Sequence, residues 1–140
     1  MPQKMTAAEL TDFLHQEFPQ VSDDFGISEP SEDGLTVRLN VQDRHLRPGG
    51  TVSGPSMFAL ADVAIYLLIL SRIGPQGLAV TTNISMDFMR KPASGVDLVA
   101  KARLLKLGRT LAVGDVLIYS EGVSDPVARS SMTYSLPPKG

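Results

Sequence analysis

The feature that most constrains the fold is a single long apolar run over residues 53–71, interrupted by one charged residue, Asp62. Its apolar side chains leave no polar stripe at helical spacing, and a helix that is apolar all round is buried on all sides. Ser53 or Gly54 can cap its start, and Pro55 suits the first helical position, where a missing N–H costs nothing. The run is too short and too interrupted for a membrane span of about 20 apolar residues. We therefore predict a central helix over residues 53–71 with the rest of the chain wrapped around it.

The carboxylate of Asp62 is costly in such a helix. An unpaired buried charge is strongly unfavourable, so charged groups in the interior are paired, hydrogen-bonded or neutralised. One interpretation is that Asp62 reaches water at the edge of the helix or bonds to a neighbouring backbone group. The other is that the carboxylate is kept because it does chemistry. The residues alone leave both interpretations open.

Size and composition exclude several classes of function. A chain of 140 residues without an internal repeat predicts one domain over residues 1–140. The net charge is −2 and the charges are scattered, so no basic stripe favours nucleic acid. The absence of cysteine excludes disulfides and thiolate chemistry and is compatible with a reducing cytoplasm. The first ten residues lack the apolar core of a signal peptide. We expect a cytoplasmic protein that binds neither nucleic acid nor a membrane.

Periodicity predicts the remaining elements. Within residues 1–20, an amphipathic helix over residues 6–18 begins with a capping box of Thr6 and Glu9 and lies on the outside of the fold. Alternating apolar and polar residues indicate strands. These strands cover residues 35–41, 78–89, 96–105, 110–120 and 127–136, with a further short strand near residues 25–28.

Short turns between the last four strands predict a four-stranded antiparallel meander, and the fold class is α+β. In the strand over residues 78–89, Leu78, Val80 and Ile84 fall on one side. Thr81 falls on the opposite, polar side, whereas the apolar side should face the helix. A single sheet curled around one helix would explain why that helix is apolar all round.

This order of elements, and the residues GGTVSGPSMFALADVAIY at 49–66, resemble the hotdog-fold acyl-CoA thioesterases, specifically the phenylacetate-pathway (PaaI-like) group. The family pattern Gly-Thr-Val-His-Gly-Gly, followed by Ala-Asp, stands here as residues 50–55 followed by residues 61–62. Residues 81–92 resemble the next family strand and its end, and residues 107–110 resemble the following hairpin. The resemblance covers roughly residues 35–136 and implies a curved antiparallel sheet wrapped around one long buried helix.

The resemblance also implies roles for individual residues. Asp62 matches the catalytic carboxylate, as a nucleophile or as a general base that activates water. Gly54 matches the backbone N–H that polarises the thioester carbonyl, and a helix N-terminus suits a developing oxyanion. Thr81 matches a hydroxyl that helps to hold the water. In two departures, Ser53 replaces the family histidine and Pro55 replaces the second glycine. Ser53 is a further catalytic candidate, because it can still donate one hydrogen bond, although it cannot carry a positive charge.

Candidate substrate-binding residues lie in the loops and turns around the central helix. The cationic ones are either merely solvated or contact the phosphates of coenzyme A, for which arginine is well suited. His45, in the loop before the helix, is either structural or lines the site, and two histidines so placed do not make a metal site. The candidates are Arg47, His45, Pro55, Arg90, Lys91, Gly108, Arg109 and Thr110.

The spacing of the two main catalytic candidates predicts a site shared between chains. Gly54 and Asp62 are eight residues apart, which on one helix separates them by about 12 Å along its axis. Both must reach the same carbonyl group to within about 3 Å. We therefore expect Gly54 from one chain to act with Asp62 from another. The resemblance likewise implies a homodimer with two composite sites, usually paired again into a tetramer.

The sequence thus predicts an acyl-CoA thioesterase that releases a free acid and coenzyme A and needs no cofactor or metal. The alternative is a non-catalytic acyl-CoA-binding protein on the same fold, in which Asp62 is structural. A hotdog dehydratase is disfavoured, because such enzymes pair the acid with a histidine and the central helix has none. The acyl group stays open between an aryl and an aliphatic chain.

Overall fold

The computed structural model describes residues 4–75 and 79–136. The helices are α1 (Ala7–Glu17) and α2 (Gly54–Ile73), and the strands are β1 (Phe25–Ile27), β2 (Leu35–Leu39), β3 (Val80–Phe88), β4 (Leu98–Leu107), β5 (Leu111–Ser120) and β6 (Pro126–Ser135). All six strands form one antiparallel sheet in the order β1-β2-β4-β5-β6-β3. The predicted α+β hotdog fold, with a curved sheet around one long helix, is confirmed.

The predicted four-stranded meander is wrong in one respect. Strands β4, β5 and β6 follow one another as expected, but β3 pairs with β6 rather than with β4. After β3 the chain passes β6, where the N–H groups of Met89 and Arg90 donate to the carbonyl of Val127. Turn residues show where strands end but not which strands pair, so the sequence could not reveal this crossover. As a result, β1 and β3 are the two edges of the sheet, and the first residue of the predicted strand, Leu78, lies outside the described residues.

Helix α1 begins as the sequence predicts. The N–H of Glu9 donates to Thr6 Oγ1 at 3.2 Å, and Glu9 Oε1 accepts from the N–H of Thr6 at 3.0 Å. These reciprocal bonds satisfy donors that every helix start leaves free. Leu10 and Leu14 are buried, and the helix packs beside β1 and the exposed face of α2.

Helix α2 is the centre of the core and is buried except along one stripe. It packs against β2, β4 and β5, and most of its apolar side chains are fully buried. In the described part of the chain it is also the one helix long and apolar enough to cross a membrane, a test that a buried core helix passes as well. The stripe that the sheet leaves exposed or half-buried has a spacing of three to four residues, which places it on one face. It consists of Pro55, Phe58, Ala59, Asp62, Val63 and Tyr66.

A β-bulge at Thr82 corrects the predicted sidedness of β3. The register between β3 and β6 shifts at this residue, so that Thr81 lies opposite Tyr134, whose ring is buried against α2. An extra residue shifts the alternation of side chains by one, so that residues three apart across the bulge share a face. Thr81 and Ile84 therefore both face the helix. Val80, which the sequence places on the same side as Ile84, instead faces outward and is 56% exposed. The prediction that Thr81 lies on the outer face is wrong for this reason.

Gly114 allows the sheet to approach α2 closely. It is buried in β5, and a Cβ atom at this position would lie 2.7 Å from the carbonyl oxygen of Arg103 and 2.7 Å from Cδ1 of Ile65. Since the first of these contacts is backbone, it cannot be relieved by a side-chain rotation. Even a methyl group therefore disturbs the pairing of β5 with β4, and it also crowds Ile65 on α2.

We expect Gly114→Ala to lower the free energy of unfolding by about 1–3 kcal/mol, the usual effect of overpacking a core. The matched control is Gly26→Ala, because a Cβ at this β1 position would meet only Arg38 Cβ at 3.8 Å. That variant should stay within about 0.5 kcal/mol of wild type. Urea unfolding followed by circular dichroism measures both, and equal stabilities for the two variants would contradict this account of the packing.

Candidate active site

Asp62 is held at one of its two carboxylate oxygens by two hydroxyl groups. Thr81 Oγ1 donates to Oδ1 at 2.8 Å, and the hydroxyl of Tyr134 is hydrogen-bonded to the same oxygen. The Tyr134 hydroxyl also lies 2.9 Å from the backbone carbonyl oxygen of Asp62. Among the described residues, no group donates to Oδ2. The carboxylate is therefore anchored on one side and available for chemistry on the other.

Tyr134 is the site residue that the sequence reasoning missed. It lies on β6, 72 residues from Asp62, and its ring is buried. Burial raises the pKa of the Tyr134 phenol, and the nearby charge of Asp62 raises it further, so the hydroxyl remains a donor. A tyrosine on the apolar face of a strand needs a partner for its hydroxyl, and this is the signal that could have identified it.

Asp62 lines a cavity of about 480 Å³, which we call the carboxylate cavity. Its walls are mostly apolar and aromatic, and one wall comes from α1 and the residues that follow it. The centroid of the Tyr66 ring lies 6.0 Å from the centroid of the Phe18 ring and 6.4 Å from that of the Tyr134 ring. The cavity is lined by Leu14, Phe18, Val21, Asp62, Val63, Tyr66, Ala79, Val80, Thr81 and Tyr134.

Gly54 presents its N–H at the start of α2. Ser53 is the N-cap, with Oγ accepting from the N–H of Ser56 at 3.3 Å, so the serine that replaces the family histidine caps the helix. Gly54 is then the first helical residue and Pro55 the second, one position later than predicted. The Gly54 N–H has no hydrogen-bond partner within the described chain, and the helix dipole favours negative charge beside it.

Gly54 lies in a second cavity of about 590 Å³, which we call the glycine cleft. The ring of Phe88, at the end of β3, covers this glycine, and a Cβ added there would lie 3.4 Å from the ring. Three predicted cations line the cleft, although Arg90 also donates to the carbonyl of Pro126 at 2.8 Å. The lining comprises Arg47, Pro48, Gly49, Thr51, Val52, Gly54, Met57, Phe88, Arg90, Lys91 and Pro92, which leaves out the exposed Pro55.

The two cavities share no lining residue. Within one chain, the carboxylate of Asp62 and the N–H of Gly54 therefore face different spaces on the surface of α2. The structure brings Asp62 together with Thr81, and Gly54 together with the cations, but it does not bring these two sets together in a single chain.

His45 is structural in this arrangement and lines neither cavity. It is buried, its Nδ1 accepts from the N–H of Gln42 at 2.9 Å, and its Nε2 lies 3.3 Å from Asp24 Oδ2. Burial lowers the pKa of His45, and the charge of Arg44 adds to this, so the neutral ring with its proton on Nε2 is favoured. Its carbonyl accepts from the N–H of Ser53 at 2.8 Å. The histidine thereby fixes the loop that leads to the helix cap.

The hairpin of residues 108–110 joins β4 to β5, as the sequence predicts, and also lines neither cavity. The N–H of Gly108 donates to the carbonyl of Leu111 at 2.9 Å, and the carbonyl of Thr110 accepts from Leu136 at 2.8 Å. Arg109 is exposed.

No group of three or more histidine, aspartate or glutamate side chains within residues 4–75 and 79–136 is arranged to hold a metal ion.

The chain belongs to the thioesterase superfamily, whose family model matches residues 49–127. A crystal structure of a candidate thioesterase from Silicibacter sp. TM1040 is 61% identical, covers 99% of this chain and 96% of its own, and has a TM-score of 0.92. A structure of a mutant phenylacetic acid degradation protein PaaI from Thermus thermophilus is 28% identical, with 85% and 99% coverage and a TM-score of 0.71. The acyl-coenzyme A thioesterase 13 of Mus musculus is 25% identical over 85% of this chain and 84% of its own.

These relatives confirm the predicted family, the PaaI-like hotdog thioesterases, and the enzyme class, a thioester hydrolase. The matched span contains Gly54, Asp62 and Thr81 but ends before Tyr134.

Proposed function

We propose that the protein is an acyl-CoA thioesterase that hydrolyses an acyl- or aryl-CoA thioester to the free acid and coenzyme A. The observation that carries this proposal is the carboxylate of Asp62, anchored at Oδ1 and bordering an apolar cavity. The likeness to a mouse acyl-coenzyme A thioesterase supports coenzyme A as the thiol. The reaction needs only water besides the substrate, so we propose that no cofactor takes part.

The chemistry follows from the two groups. Asp62 either attacks the thioester carbon itself or takes a proton from the water that does. As negative charge develops on the carbonyl oxygen, the Gly54 N–H donates to it. The carbon–sulfur bond then breaks and coenzyme A leaves as a thiolate, which takes up a proton. If Asp62 was the nucleophile, water hydrolyses the resulting anhydride and regenerates the carboxylate.

We propose that the complete site forms between two chains. Asp62 lies beside Thr81 at the start of the edge strand β3, and Gly54 lies beside Phe88 at its end. If two β3 strands pair antiparallel, the start of one meets the end of the other. The carboxylate cavity of one chain then adjoins the glycine cleft of its partner, in two equivalent sites.

Exposed apolar side chains on this side of the molecule support the same assembly. Val80, Phe88 and Met89 are 56%, 54% and 43% exposed, and Phe58 on the uncovered stripe of α2 is 42% exposed. A sheet edge and apolar surface of this kind favour association with another chain. The proposed state is a cytoplasmic homodimer, and the family resemblance favours a further pairing into a tetramer.

The cations of the glycine cleft are proposed to bind the phosphates of coenzyme A. Arg47, Arg90 and Lys91 border the same space as the Gly54 N–H, so a thioester carbonyl bound there has positive charge beside it. The acyl group then extends into the apolar carboxylate cavity of the other chain. A role for the hairpin residue Arg109 stays a prediction, because the hairpin lines neither cavity of its own chain.

We expect Asp62→Asn to lower kcat by about 10²–10⁴-fold, because the amide cannot act as a base or nucleophile, and to change KM little. A thiol-release assay on a panel of acyl- and aryl-CoA thioesters measures both constants. The control is Asp87→Asn on β3, where an exposed carboxylate pairs with Arg129 at 2.9 Å. Wild-type turnover in Asp62→Asn would overturn the mechanism. Binding of the thioesters without any turnover by wild type would instead identify a binding protein.

The shared site is tested by mixing two inactive chains. Gly54→Pro removes the N–H at a helix position that tolerates proline, and the extended Ser53 before it, with ψ of 155°, suits a following proline. Gly54→Ala keeps the N–H and is the control. In a dimer of one Gly54→Pro chain and one Asp62→Asn chain, one composite site is intact. Co-expressed, tagged heterodimers should therefore recover about half of the wild-type kcat per dimer, whereas a site within one chain would give none.

The phosphate contacts are tested by Arg47→Met and Lys91→Met. Each should raise KM for a CoA thioester by about threefold to tenfold, because a charged hydrogen bond to phosphate is lost. Neither should affect the matching thioester of pantetheine, which lacks the nucleotide phosphates. Lys101→Met is the control, since this ammonium lies over the Tyr119 ring, 5.0 Å from its centroid, and lines neither cavity. Equal effects on both substrates would contradict phosphate binding in the cleft.

A further inference from the structure

We infer that Tyr134 is a positioning residue that determines which oxygen of the Asp62 carboxylate reacts, an inference that rests on the proposed thioesterase activity. Its hydroxyl and that of Thr81 both bind Oδ1. Oδ2 has no donor among the described residues, and Asp62 is one of the residues that line the carboxylate cavity. The two hydroxyls thus assign Oδ1 to anchoring and Oδ2 to the reaction.

The geometry makes Tyr134 a fixed support rather than a mobile neighbour. Its side chain is 2% exposed, and its hydroxyl reaches both Oδ1 and the backbone carbonyl of Asp62. It therefore ties the carboxylate to the helix turn that carries it. With a single hydroxyl proton, it donates to one oxygen at a time or shares the proton between them.

The two anchoring hydroxyls are built as a pair. Thr81 lies directly opposite Tyr134 in the register of β3 and β6, and the bulge at Thr82 lets Thr81 share a face with Ile84. Without that extra residue, an unbroken strand that kept Ile84 inward would turn Thr81 outward. The bulge therefore lets the Thr81 hydroxyl reach the same carboxylate oxygen, Oδ1, that the buried Tyr134 hydroxyl binds.

Tyr134 should act on the charge as well as on the geometry of Asp62. A hydrogen bond to a carboxylate favours its ionised form, and removal of the donor favours the protonated form. The phenol does not itself lose a proton in the working range, because burial and the adjacent carboxylate raise its pKa. It remains a donor in every step and does not act as an acid or base.

The test compares Tyr134→Phe with wild type, Asp62→Asn and the control Tyr119→Phe. Tyr119 lies on β5 beneath the ammonium of Lys101 and lines neither cavity. We expect Tyr134→Phe to lower kcat by about tenfold to hundredfold, as for loss of a hydrogen bond to a charged group, with little change in KM. The acidic limb of its pH–rate profile should move to higher pH, because a donor to the carboxylate is lost. Tyr119→Phe should match wild type in every constant.

The outcomes separate this inference from the proposed function. If wild type hydrolyses thioesters, Asp62→Asn does not, and Tyr134→Phe has the wild-type kcat and pH profile, only the positioning role is overturned. If Tyr134→Phe lowers kcat without moving the acidic limb, the residue is structural and the inference fails. If wild type shows no turnover, the proposed thioesterase is wrong.

A second measurement needs neither activity nor the Tyr134→Phe variant. The chain has three tyrosines, so ring-labelled tyrosine gives few carbon resonances, which Tyr66→Phe and Tyr119→Phe assign. Replacing Asp62 with asparagine should move the Tyr134 phenol carbon resonance and leave that of Tyr119 in place. An unmoved Tyr134 resonance in a folded Asp62→Asn variant would overturn the inference.

Discussion

The packing of α2 against the concave face of a single sheet is the constraint on which the rest of the structure depends. Gly114 lets the strands come close to the helix, and the buried side chains of α2 supply most of the core. One sheet of six strands still cannot enclose a helix of 20 residues on every side. The uncovered stripe of α2 contains Asp62, and Gly54 lies at the N-terminal end of the same helix. The two proposed catalytic groups thus lie at the boundary between the core of the chain and its surface.

A carboxylate at that boundary is tolerated because polar groups from two strands meet it. Thr81 and Tyr134 come from β3 and β6, and their approach to Asp62 depends on the register set at Thr82. The same environment that would penalise a bare charge leaves one oxygen anchored and the other without a protein donor. On the proposed mechanism, the contacts that make a charge tolerable at this position also orient the group that reacts.

Local patterns determined what the sequence could predict. Caps and apolar periodicity located both helices to within two residues, and alternation and turn residues located the five longer strands. The short strand β1 lies near residues 25–28, as expected. The resemblance drew attention to Asp62 and Gly54. Their spacing along the helix predicted that Gly54 of one chain acts with Asp62 of another. The pairing of β3 with β6 and the bulge at Thr82 could not be predicted, since an inserted residue is visible only against its partner strand. Tyr134 was missed because nothing local links it to a residue 72 positions away.

Because Ser53 caps α2, Gly54 lies in the first turn of the helix, whereas Asp62 lies near its middle. The two residues are therefore expected to differ in mobility. Helix ends open more readily than helix centres, and a cap adds only about 1 kcal/mol to the first turn. Transient fraying of that turn would displace the Gly54 N–H, while Asp62, well inside α2 and bonded to two strands, kept its place. On the proposed mechanism, opening of this one turn would remove the oxyanion donor without disturbing the core. The fraction of time for which the turn is closed would then limit the turnover of the proposed enzyme, whatever the position of the carboxylate.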